Sequence, residues 1–175
     1  MNVLLKISLS YEIDKSKIYG RHHSAHLTQT AGLLRKHGCQ KEVITAGLIH
    51  SIYDEDSIYQ NSGVPINDRA KIIDIVGKDA EELAYYYSLA HILADYNSII
   101  STERESIFPE RLIGNLADIL VCDIIEQIIW CVDEKKIFTY LDAYGHLYKL
   151  FPVIPYCKES IKEDYHYYLQ ESKLD

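Results

Sequence analysis

Apolar residues recur along this chain at helical spacing, and the breaks between them fall at glycines and prolines. Leu27, Ala31, Leu33 and Leu34 keep a three-to-four-residue period and Gly38 offers a left-handed stop, which predicts a first core helix over 20–37. Val43, Ile44, Ala46, Gly47 and Leu48 repeat the pattern, predicting a second helix over 41–52 with His50 near its end. Gly63 and Pro65 punctuate a loop, Asn67 is the expected N-cap of a third helix, and Gly77 is expected to end it. Asp79 opens a fourth helix predicted to run to Tyr96, and the polar residues from Asn97 to Ser106 form a loop. Pro109 suits the first turn of a long helix over 111–132, because proline lacks the amide hydrogen that is unsatisfied there. Lys136 to Leu150 and Cys157 to Gln170 are two further helices, separated by the break at FPVIP. With no Asn-Gly or Asp-Gly hairpin signal, the expectation is an all-α fold in one compact helical domain over 1–175, its C-terminal helices in 133–175.

Composition narrows the classes. At 175 residues and 47% hydrophobic, the chain can bury one good core, and nothing in it marks an interdomain linker. Twenty-six acidic against eighteen basic residues give a net charge of -8 with no Lys/Arg run, so no nucleic-acid partner is expected. The start has no basic cluster ahead of a long apolar run, and no segment reaches eighteen apolar residues, so a soluble cytoplasmic protein without a membrane partner is expected. Cys39, Cys122, Cys131 and Cys157 lack metal-site spacing, and Cys122 and Cys131, within an apolar run, read as buried thiols. Of the fifteen tyrosines, Tyr85 to Tyr87 and Tyr165, Tyr167 and Tyr168 are expected to pack amphipathically with each hydroxyl on water or a partner.

The chemistry concentrates in Gly20 to Tyr53. His26 sits among apolar neighbours, with His22 one turn earlier and His23 three residues earlier, so either can share its face. His50 follows small and aliphatic residues that bury its backbone, where ring nitrogens need a metal or hydrogen-bond partners. In the long helix Asp118 and Asp123 interrupt an aliphatic run. An ionised carboxylate there costs several kcal/mol unless it is paired or coordinated, whereas on an amphipathic helix at least one of the two faces solvent. Asp54, Glu55 and Asp56 form an acidic cluster after His50, in a segment expected to be a solvated loop. His91 is a core or supporting candidate, while His37, His146 and His166 read as surface or packing residues.

His26, the apolar segment ending in His50, and the late Cys122-Asp123-Ile124-Ile125 together resemble the HD superfamily of helical metal-dependent enzymes. Over Gly20 to Gln127 the chain is similar to a branch in which the His-Asp doublet is written His-Ser, here His50-Ser51. The resemblance implies one divalent metal, iron, manganese or zinc, held by His26, His50 and Asp123, with His22 and Asp118 as weaker ligands; the rival expectations are a site rebuilt with Asp54 or Asp56, or no metal, the His and Asp residues forming a hydrogen-bonded core cluster. It implies a small pocket between the first two core helices and the Asp123 helix. It also implies hydrolysis of a small substrate, phosphorylated or not, by metal-activated water, with His23 and Asp54 moving protons. Two alternatives accompany it: an iron-dependent oxygenase, or a non-catalytic HD-like domain that binds a small ligand or a protein partner. Ser51 cannot supply the charge with which the doublet aspartate bridges two ions, so at most one metal is expected. Assembly into a homo-oligomer is left open by the sequence.

Overall fold

The stripe His23, His26, Leu27, Thr30, Ala31 and Leu34 is buried along one side of a helix, the spacing that the apolar period requires. The computed structural model describes residues 3–11, 17–18, 20–53, 63–93, 96–100, 107–134, 143 and 145–171. The fold is all-α. Its helices are α1 (Val3–Tyr11), α2 (His23–Lys36), α3 (Lys41–Gly47), α4 (Arg69–Val76), α5 (Lys78–Leu93), α6 (Ile113–Asp133) and α7 (Glu159–Glu171). Residues 145–149 are also helical. Among the described residues, extended pairing is confined to two two-residue strands, β1 (Lys17–Ile18) and β2 (Arg21–His22), antiparallel and joined through Gly20 at φ +90°. A lone glycine thus makes the turn without an Asn-Gly or Asp-Gly pair.

The chain divides into two units, Met1–Ile92 and Leu93–Asp175. In the first, Leu4 and Ile7 of α1, Leu27 of α2, Ile49, Ile52, Tyr53, Val64, Ile72 of α4 and Ala84 of α5 form one apolar core. The periodicity reading did not assign α1, yet its Leu4 and Ile7 share a face and complete that core. Gly47 brings α3 against α2: a Cβ there would lie 2.2 Å from Leu34 Cδ1. A polar clamp ties the later helices together. Arg69 donates to both oxygens of buried Glu81 at 2.6 and 2.9 Å, Tyr53 donates to the same carboxylate at 2.9 Å, and Arg69 stacks 3.7 Å from the centre of the Tyr85 ring. Tyr11 bonds Asp68 at 2.9 Å, joining the end of α1 to the entry of α4.

Several boundaries differ from the sequence expectation for physical reasons. The second helix ends at Gly47 rather than running to residue 52, because Ile49 bonds back three residues to Ala46 and tightens the chain into turns that carry His50. Asn67 does not cap α4. It lies inside a 3₁₀ turn, Ile66–Asp68, in which the Asp68 amide bonds the Pro65 carbonyl at 2.8 Å. Gly77 does end α4, at φ +88°, and α5 closes at Leu93.

In the second unit a 3₁₀ turn, Glu110–Leu112, follows Pro109 and leads into α6. Leu116 to Glu126 are buried without interruption. The expectation that one of Asp118 and Asp123 faces solvent therefore fails: both are buried, and each is held by a hydrogen bond. α6 packs against α7 and the 3₁₀ turn Ile154–Tyr156. All four cysteines are buried thiols, none of them in a disulfide among the described residues. Tyr165 is wholly buried and its hydroxyl has no hydrogen-bond partner among the described residues, which departs from the rule expected for the tyrosines. No helix among the described residues is long and apolar enough to cross a membrane.

Candidate functional site

α2 and the turn after α3 bring three histidines into one buried cluster in the first unit. His26 Nε2 lies 3.2 Å from His50 Nε2, with the rings edge to face at 5.1 Å. His23 stacks near-parallel to His26 at 6.2 Å, as two residues three apart on one helix face must. Each ring has at most 2% of its residue surface exposed.

The proton positions follow from the partners. His50 Nδ1 lies 2.7 Å from the Gly47 carbonyl, which only accepts, so Nδ1 carries the proton and in the neutral ring Nε2 presents a lone pair. This is the second hydrogen bond by which a metal-ligating histidine is usually oriented. Two imidazole nitrogens held at about 2.0–2.1 Å from one ion, at angles between square and tetrahedral, lie roughly 2.9–3.4 Å apart. The observed 3.2 Å fits that window, so the pair suits a shared divalent ion.

Ser51 has its own assignment. Its Oγ lies 2.7 Å from His23 Nε2, both groups buried, so the doublet position braces a histidine of α2. Two further neighbours complete the cluster, neither of them expected there from the sequence. Arg21, buried in β2, places Nη2 3.2 Å from His26 Nδ1 and donates through Nη1 to Gln29 Oε1 at 2.6 Å. Tyr87 of α5 packs edge to face on His50 at 4.6 Å. Ser51 was singled out for the charge it lacks, and its bond to His23 was not foreseen. The only sequence signal for Arg21 is its place five residues before His26.

The other candidates lie elsewhere. His22 is exposed at the N-cap of α2 and lines an open surface recess with Ser24, Ala25, Thr28 and Gln29. His91 is exposed and stacks on Tyr87 at 6.2 Å, outside the core expected for it. Asp54, with Glu55 and Asp56, lies outside the described residues. His37 is buried at the end of α2, and His166 is exposed beside Tyr165.

In the second unit Asp123 is 4% exposed, and its Oδ1 accepts from Gln127 Nε2 at 2.9 Å, one turn along α6. Burial, reinforced by the Asp123 charge, pushes the Tyr96 hydroxyl up to about 12. Asp118 is occupied differently: its Oδ1 accepts the Lys158 backbone N–H at 2.9 Å, at the entrance to α7.

A family described as a domain of unknown function, DUF6817, matches residues 13–91. The match takes in Arg21, His23, His26, His50 and Ser51 and ends before α6, leaving Asp123 outside it. No curated protein and no solved structure matches the chain.

Proposed function

We propose that the chain holds one divalent metal through His26 and His50, with Asp123 as the carboxylate donor, and works as a hydrolase of a small phosphorylated molecule in the manner of the HD superfamily it resembles. The observation that carries the reading is the pair of Nε2 atoms 3.2 Å apart, one of them fixed as a lone pair by the Gly47 carbonyl. His26, His50 and Asp123 are all buried and are donors of the types that hold such ions. Bound there, a divalent ion supplies Lewis acidity to a phosphoryl oxygen and to water. The protein's own groups then have defined tasks: Gln127 orients the Asp123 carboxylate, and His23, braced by Ser51, is the group that takes up or delivers a proton.

A second reading draws on the same donors. Two histidines and one carboxylate, without a doublet aspartate, form the set that non-haem iron oxygenases use. The neutral Ser51 favours this reading or a non-catalytic domain over a two-metal phosphohydrolase, because the position after His50 brings a hydroxyl, bonded to His23, and no charge.

Elemental analysis of protein purified without chelator tests the site. Wild type is expected to carry about one ion per chain, and His50→Ala and Asp123→Ala to lose it. Unchanged metal content in the variants, or two ions in wild type with brisk hydrolysis of generic phosphoesters, would sink the assignment.

A further inference from the structure

Arg21 is a cation set against the paired histidines, and its effect follows from hydrogen-bond polarity alone. A guanidinium has five N–H donors and no acceptor. At 3.2 Å from Nη2, His26 Nδ1 must therefore be the accepting nitrogen, and in a neutral ring the proton then sits on Nε2. That N–H points at the lone pair of His50 Nε2, while His50 donates its own proton to Gly47. The chain of donors runs one way, from Arg21 through His26 and His50 to the backbone carbonyl.

This arrangement conflicts with coordination at one atom. His50 already offers a bare Nε2. His26 does not: its Nε2 coordinates only after the proton has moved to Nδ1, and there it meets another N–H at 3.2 Å. Two donors cannot share that contact.

We propose that Arg21 is a built-in competitor of the metal, a latch that keeps His26 in the non-ligating tautomer until the guanidinium withdraws. The inference rests on the metal reading of the histidine pair and adds a regulation to it. No proton is gained or lost in the exchange: the one on His26 Nε2 moves to Nδ1, and the guanidinium gives up one acceptor while its Nη1 keeps Gln29 Oε1 as another. Arg21 acts through His26, so it is a positioning residue rather than a ligand. The consequence is a site poised between a closed, internally bonded state and an open, metal-bound one, with any anion that draws Arg21 away favouring the second.

Two variants test it. Arg21→Gln substitutes an amide that can turn its oxygen toward His26 and accept from Nδ1–H, and Arg21→Met removes the donor with little change of length. Zinc alone, titrated by calorimetry into chelator-treated protein, should bind each variant at least tenfold more tightly than wild type. Independently, ¹⁵N imidazole spectra of the metal-free proteins should show His26 as the Nε2–H tautomer in wild type and a shift toward Nδ1–H in Arg21→Gln. Equal or weaker zinc binding by the variants overturns the latch while leaving the metal site standing, as does a wild-type His26 already in the Nδ1–H form. Zinc binding by none of the three proteins overturns the metal reading itself, and the latch with it.

Discussion

Ser51 shows how a single side chain redirects a site. Where a carboxylate would bring charge to a metal, its hydroxyl holds His23 at 2.7 Å with both groups inside the protein. Ser51→Ala should therefore leave a buried ring nitrogen without that partner and cost about 1–3 kcal/mol. Metal content should be unchanged, because the hydroxyl is directed at His23 and not offered as a ligand. A urea titration and elemental analysis on the same preparation check both halves, and loss of metal would show that Ser51 is a ligand after all. The residue scale was partly legible beforehand. His26, His50 and Asp123 stood out because polar groups in apolar surroundings need partners. Arg21 did not, because a charged residue at the head of a helical pattern looks solvated until a turn at Gly20 folds β2 onto α2.

Between elements, the strongest addition to the sequence picture is Asp118, which reaches across forty residues to cap α7. Its Oδ1 takes the Lys158 amide hydrogen at 2.9 Å, satisfying one of the donors that the start of a helix leaves open. Asp118→Ala should destabilise by about 1–2 kcal/mol, the range of a lost N-cap. The amides of Glu159, Ser160 and Ile161 should lose protection in hydrogen exchange first, and bound metal should be retained. Exchange spread evenly over both units, or loss of metal, would contradict that role. Helix positions were readable because their apolar period is local, as in α2 and α6. α1 was missed because its nine residues are too few for a firm period, and its identity as a helix comes from the partners of Leu4 and Ile7. The turn at His50 was missed for a related reason: the bond from its ring to Gly47 competes with continued helix, and no pattern of apolar residues records it.

Across the whole molecule the tyrosines set an alkaline limit. Tyr11, Tyr53, Tyr96, Tyr165 and Tyr168 all ionise above their ordinary value, burial being the main cause in each. A raised folded value means that the unfolded chain releases these protons first. Stability is thus complete below pH 10 and falls as pH climbs toward the folded values, through the window from 10.0 to about 12 for Tyr96. Urea unfolding at pH 8, 10 and 11 should show a midpoint that declines only above 10, and absorbance at 295 nm should reveal a late class of tyrosinates appearing together with unfolding. A midpoint flat to pH 11, or tyrosinates that all appear before unfolding, would count against it. The four sheltered thiols give the same molecule a different kind of record. Cys39 belongs to the first unit and Cys122, Cys131 and Cys157 to the second, so sulfur that has met an alkylating reagent dates the opening of its own unit. The chain therefore carries two native chronometers, and comparing them tells whether its halves breathe in step or each to its own rhythm.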